Sequence, residues 1–170
     1  MRSSRLLLNV SSLCWLGLAA SVTGCGDDDD DPPVSVAGSY TVNTTNGASS
    51  CSADWEEGAT ASNIPLVITQ DGNQVTGTLG GLAAVYYTLV IGTPEFKGTV
   101  SGNHLQLVAY GTRSQTQGNC TFTYNATLDA QVSGAILQGT IKYAPATNNN
   151  PDCADVSCQA VQNFNGSRPP

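Results

Sequence analysis

The sequence predicts an all-β domain, an antiparallel up-and-down meander barrel of eight or nine strands, and three observations carry that expectation. Hairpin-like segments recur in which apolar and polar residues alternate, the period of a strand with one buried face. Charged residues make up only 11% of the chain, while turn formers abound, with 18 glycines. Four cysteines lie beyond an export-type leader and Cys25, the pattern of a small exported domain closed by disulfides.

The chain opens with the grammar of an export signal. Arg2 and Arg5 precede the mainly apolar run Leu6–Ala20, which is too short and too serine-interrupted for a good membrane span. The string Val22-Thr23-Gly24-Cys25 resembles the lipobox of bacterial lipoproteins, with Val22 where leucine is commoner. The resemblance implies removal of residues 1–24, acylation of Cys25 on sulfur and amine, and stable membrane attachment through two or more acyl chains. It also implies a place in the bacterial cell envelope. Gly26 is not the aspartate that resembles an inner-membrane retention signal, so the outer membrane is expected. The alternative is an ordinary secretory signal with Cys25 left as a thiol. Residues 25–35 form a tether, because Asp27–Asp31 repel one another and Pro32-Pro33 add a stiff joint before the domain. Consecutive aspartates lack the turn glycine and alternate ligand spacing of a calcium loop. Residues 36–168 are left for the barrel domain.

About 145 residues come after the leader, one domain's worth and enough to bury a core. Their only basic residues are Lys97, Arg113, Lys142 and Arg168, against thirteen acidic ones, so nucleic acid is excluded as a partner. Cys14 leaves with the signal and Cys25 takes the lipid. Cys51, Cys120, Cys153 and Cys158 remain as disulfide candidates, their spacing being poor for zinc.

Gly38–Thr44 reads as the first strand, with Tyr40 and Val42 on one face, and a small-residue loop carrying Cys51, Trp55, Glu56 and Glu57 comes next. Asp71-Gly72 reads as a two-residue turn that sets Ile68 against Val75, Leu66 against Gly77 and Ile64 against Leu79. Pro65 then faces Thr78 with its missing N–H toward the first strand, so pairing with that strand is expected to begin only after it. Leu82–Ile91 reads either as one strand buried on both faces or as a lid over the barrel mouth. Gly102-Asn103 turns the next hairpin, with Val100 against Leu105, Gly98 against Leu107 and Phe96 against Ala109. The clearest hairpin spans Tyr124–Tyr143. With Ser133-Gly134 as its turn, Val132 faces Ala135, Ala130 faces Leu137, Leu128 faces Gly139, Ala126 faces Ile141 and Tyr124 faces Tyr143. Its other face is polar apart from Ile136, with Asp129 opposite Gln138. Cys158–Phe164 supplies the closing strand.

In an eight-stranded barrel the end of the first strand, the starts of the sixth and eighth and the end of the seventh share one rim. Cys51, Cys120, Cys158 and Cys153 lie near those points, which makes Cys51 with Cys158 and Cys120 with Cys153 plausible pairs. A ninth strand at Leu82–Ile91 would move Cys51 to the other rim and favour a local Cys153–Cys158 pair, so the connectivity stays open. Gly38-Ser39-Tyr40 is similar to the Gly-x-Trp of the first strand in the calycin superfamily, the lipocalin-like and avidin-like barrels, with tyrosine replacing tryptophan. The meander of hairpins and Arg168 extend the resemblance. It implies a small barrel in which Arg168 sits over the Tyr40 ring as a cation on an aromatic face.

Chemistry is sparse. His104, the single histidine, comes directly after a turn beside Ser101 with no Asp or Cys partner in its local pattern, and reads as a solvated strand residue. Asp152 and Asp155 flank Cys153 in an Asn-rich loop and read as solvating groups. The sequence has no phosphate loop, zinc signature or nucleophile elbow, so a non-catalytic protein without cofactor or metal is expected. Trp55 either caps a barrel mouth or grips a ligand; Tyr40, Tyr124, Tyr143, Phe96 and Arg168 are the other candidate ligand or partner contacts. Inward glycines and alanines, Gly77, Gly98, Gly139, Ala109, Ala126, Ala130 and Ala135, leave room either for a narrow apolar cavity or for close approach of backbones. The expected function is a lipid-anchored envelope lipoprotein that binds a small apolar ligand or an envelope partner. An inhibitor of lysozyme or proteases acting through exposed loops, and a structural surface protein, are the alternatives.

Overall fold

The computed structural model describes residues 34–51 and 55–169. The leader, Cys25 and residues 26–33 of the tether lie outside the described residues, as does Asp54.

Among the described residues nine strands and one α-helix run in the order β1 (Gly38–Ser49), β2 (Thr60–Asp71), β3 (Gln74–Leu79), α1 (Gly81–Val90), β4 (Glu95–Ser101), β5 (His104–Ala109), β6 (Gln115–Gln117), β7 (Cys120–Ser133), β8 (Ile136–Thr147) and β9 (Ala160–Ser167), with a 3-10 turn at Pro151–Val156 before β9. Every pairing is antiparallel, β1 pairs with both β2 and β9, and the β5–β7 ladder closes the ring. Eight strands form the barrel; β6 is an added edge on β7.

The alternation read from the sequence is the alternation of the wall. Tyr40, Val42, Leu66, Ile68, Val75, Val100, Leu105, Leu107, Leu128, Leu137 and Ile141 all point into one core, and Ile136 stands out in solvent as its face requires. Each fully buried aliphatic or aromatic side chain contributes about 1.5 to 3 kcal/mol.

The registers of two hairpins differ from expectation by one residue pair. The Tyr124–Tyr143 hairpin turns at Gly134-Ala135, with Ser133 paired to Ile136, Val132 to Leu137, Leu128 to Ile141 and Ala126 to Tyr143. Likewise the turn after Asp71 is Gly72-Asn73, with Asp71 paired to Gln74 and Ile68 to Gly77. Gly134 and Gly72 have φ of +58° and +59°, and each occupies the first central position of its turn, where a type II′ turn requires glycine. The Gly102-Asn103 hairpin, with Gly102 at φ +52°, has the expected register. Because each slip is two residues, every side chain keeps its face.

Pro65 also behaves differently. It pairs with Thr41, and β1 and β2 stay paired on both sides of it, from Gly38–Ile68 to Thr45–Thr60. Its carbonyl accepts from the Gly80 N–H at 2.7 Å, so the edge lacking N–H faces the end of β3 and leaves the β1 ladder intact.

Leu82–Ile91 is a lid rather than a strand, and the lid is helical. A ten-residue apolar run lacks a period that separates helix from buried strand, and α1 sits between Gly80-Gly81 and Gly92, the last at φ +101°. The N–H groups of Ile91 and Gly92 both close on the Tyr87 carbonyl. The 110–113 segment then grips this end: the Thr112 and Arg113 N–H groups donate to the Ile91 carbonyl, and Arg113 Nε reaches the Thr88 carbonyl at 3.4 Å. A guanidinium there also complements the negative end of the helix dipole.

Two of the inward glycines, Gly98 and Gly139, take the second of the two expected uses. A Cβ on Gly98 would strike the Gln106 carbonyl and one on Gly139 the Asp129 carbonyl, so these positions let neighbouring backbones close up.

Candidate functional site

Three tight turns, at Gly72, Gly102 and Gly134, lie at one end of the barrel, the turn end; a fourth, Gly118-Asn119, joins the added strand β6 to β7 at the other end. Residues 34–37 cross the turn end as a plug: Val36 is fully buried, its N–H donates to Gln70 Oε1 at 2.7 Å, and its carbonyl accepts from Tyr40 Oη at 2.9 Å. Val34 is held by Gly102, its N–H donating to that carbonyl at 3.1 Å, and by Gln70 Nε2. Arg168 donates to the carbonyls of Ala37 and Ser35 and places its guanidinium 5.7 Å from the Tyr40 ring centroid, the cation–aromatic contact expected of it. Burial pushes the Tyr40 phenol up, with Arg168 opposing the shift.

The opposite end, the mouth, carries α1, the longer loops and both disulfides. Cys51 bonds Cys158 and Cys120 bonds Cys153, the pairs an eight-stranded rim allows; Cys153 and Cys158 are not joined to each other. The first ties the end of β1 to the start of β9, and the second ties the start of β7 to the 3-10 turn. Asp152 in that turn accepts from the Asn119 N–H and Nδ2, both at 3.0 Å, so it anchors the β6–β7 connection.

Two cavities open at the mouth. One of about 470 Å³ lies between the starts of β2 and α1, with Ile64, Pro65, Leu79, Leu82 and Ile141 in its wall. The other, of about 490 Å³, lies under the loop after β1, walled by Trp55, Val90, Ile91, Tyr124 and Ala160. Tyr86, Tyr143 and Gln162 belong to both. Among the described residues no charged side chain lines either one.

Aromatic rings build the partition. Tyr87, the buried residue of α1, packs on Phe96 with centroids 5.5 Å apart and on Tyr143 at 6.2 Å. Trp55 meets Tyr143 edge-on at 5.9 Å and donates its indole N–H to the Gly47 carbonyl at 2.8 Å. A chain of hydrogen bonds threads them. Tyr143 Oη donates to Gln162 Oε1 at 2.6 Å, so Tyr87 Oη is the donor in its 2.5 Å contact with Tyr143. Gln162 Nε2 then donates to Asn46 Oδ1 at 2.7 Å, and Asn46 Nδ2 to the Glu56 carbonyl at 3.0 Å. Burial is the first cause that holds both phenols, Tyr87 and Tyr143, well above the ordinary tyrosine range. The outer face of α1 leaves Leu82, Val85 and Leu89 exposed.

The candidate residues therefore divide. Trp55, Tyr124 and Tyr143 come together at the mouth; Phe96 is buried behind Tyr87; Tyr40 and Arg168 sit at the far end. Cys25 lies outside the described residues. Sequence reasoning missed Asn46, Tyr86, Tyr87 and Gln162. The Tyr86-Tyr87 pair inside an apolar run was the available signal, whereas Gln162 and Asn46 carry none without the β1–β9 register that pairs them.

His104 does have an acidic partner. Its Nε2 lies 2.9 Å from Asp129 Oδ1, and Gln106 Nε2 donates to the other carboxylate oxygen at 3.2 Å. The pairing of β5 with β7, invisible in any local pattern, brings them together, and Asp129 faces Thr140 rather than Gln138 across the other ladder. The hydrogen bond from His104, then that from Gln106, holds the Asp129 carboxyl below the ordinary carboxylate range. The group lies on the outer wall, away from both cavities. Among the described residues no cluster of three or more His, Cys, Asp or Glu side chains could hold a metal.

Comparison of the chain with protein-family models, curated proteins and solved structures yields no match.

Proposed function

We propose that the protein is a non-catalytic binding module of the bacterial envelope, anchored through acylated Cys25, that takes a small, mainly apolar ligand at the barrel mouth. The observation that carries the reading is the pair of mouth cavities sharing Tyr86, Tyr143 and Gln162, with apolar and aromatic walls around a few convergent polar groups. The His104–Asp129 pair belongs to the outer surface and lines neither cavity, so it is read as structural.

The test of the ligand is fluorescence. Trp55 touches the partition, and Trp15, in the leader, is the other tryptophan. Titration with an uncharged naphthalene dye, and then displacement with an envelope lipid extract, should change the emission of the native protein but not of Trp55→Phe. Unchanged emission together with no dye uptake would sink the reading. The anchor is tested separately: Cys25→Ser should abolish labelling by palmitate and move the protein from the membrane to the soluble fraction.

A further inference from the structure

The mouth has a chemistry narrower than "apolar". Building on the small-ligand reading, we infer that the site selects an uncharged amphiphile, an alkyl chain ending in one hydroxyl or amide, and that Gln162 holds that polar group.

The placement of cations disfavours an anionic guest. A carboxylate or phosphate taken out of water needs a compensating charge or several donors. The four basic residues beyond the leader are all committed elsewhere. Lys97 pairs with Glu95, Arg113 closes on α1, Arg168 lies over Tyr40 at the far end, and Lys142 points outward from β8. None lines a cavity.

The donors and acceptors at the partition favour a hydroxyl or an amide. A primary amide offers two N–H groups and an oxygen with two lone pairs. Among the described residues Gln162 uses one N–H on Asn46 and one lone pair on Tyr143, which leaves one of each. It lines both cavities, so a guest in either can reach it. A hydroxyl or amide can accept from the spare N–H and donate to the spare lone pair. A carboxylate can use only the N–H, and would set its second oxygen against acceptors. Tyr143, already donating to Gln162, fixes the amide in this orientation, which makes it a positioning residue.

Equilibrium dialysis of the full chain against radiolabelled 1-decanol, decanamide and decanoate at pH 8 tests the inference. Decanol and decanamide should bind, decanoate at least about tenfold more weakly, and Gln162→Leu should lower affinity for the neutral pair by up to about tenfold. Tyr143→Phe keeps the ring and removes the hydroxyl; it should lower the same affinities by a smaller factor and serves should Gln162→Leu fail to fold. Equal or tighter binding of decanoate, or neutral binding indifferent to both substitutions, would overturn the inference and leave the small-ligand reading standing. No binding of any of the three, with no dye uptake either, would remove both.

Discussion

The two ends of the barrel are built on opposite principles. At the turn end three two-residue connections, at Gly72, Gly102 and Gly134, join strands that are neighbours in sequence, and a plug carrying Val36 fills the bore. At the mouth the connections between barrel strands are long, and the chain is held by bonds between distant residues: Cys51–Cys158 spans 107 positions and Cys120–Cys153 spans 33. Short turns have little closure entropy to overcome, whereas long loops at a rim must be restrained or they fray. The restraint at the mouth falls on loops and backbone, and beneath them lie the two mouth cavities.

That contrast is sharpest in the response to losing a cross-link. Replacing Cys51 and Cys158 by serine should cost about 5 kcal/mol, and replacing Cys120 and Cys153 about 4 kcal/mol, on the entropy of the loops released. Urea unfolding reads the cost; hydrogen exchange should report lost protection at Asn46 and Gln162 with the three tight turns unchanged. Equal loss at both ends would break the contrast.

A smaller effect separates two kinds of glycine. Gly139→Ala drives a Cβ into the Asp129 carbonyl and should destabilise by about 1 to 3 kcal/mol through overpacking. At the turn end Gly102 has open space around it, so Gly102→Ala should cost only the backbone strain of its positive φ, about 1 kcal/mol.

Alkaline pH acts on the mouth. The phenols of Tyr87 and Tyr143 ionise later in the folded protein than at the unfolded value of 10.0, so the unfolded chain gives up protons first. Their contribution is complete below pH 10 and declines as pH rises beyond it. Absorbance at about 295 nm should show delayed titration, and Tyr87→Phe with Tyr143→Phe should flatten the fall of the urea midpoint above pH 10.

The smallest expected change is on the wall. Asp129 has its pKa depressed, so what it contributes is present above the ordinary carboxylate value of 3.8 and lost as pH falls through the folded value. Being exposed, the pair should cost less than about 1 kcal/mol in Asp129→Asn, and salt should reduce the difference.

The turn end was largely legible in the sequence because its information is local: alternation fixes the faces, and glycine next to Asn or Ser marks the turns. The register of two hairpins was not, because a glycine of positive φ can open a turn or close it, and Gly72 and Gly134 open theirs where the dipeptides Asp71-Gly72 and Ser133-Gly134 suggest closing. Tyr40 and Arg168 were found through a resemblance, their contact spanning nearly the whole domain. At the mouth the disulfides were legible as rim geometry once eight strands were assumed. The Tyr87–Tyr143–Gln162–Asn46 chain was not, because it joins α1, β8, β9 and β1. The same holds for His104 and Asp129, brought together by the β5–β7 ladder, whose strands no tight turn connects.

The hydrogen bond from the Val34 N–H to Gly102 sets a direction for the whole molecule. Cys25 precedes Val34 by nine residues, a stretch of chain that can reach no farther than about 30 Å. On the proposed acylation of Cys25, the anchor would enter the barrel at its turn end, opposite α1. On that proposal a guest would reach the mouth from the side of the barrel away from its anchor.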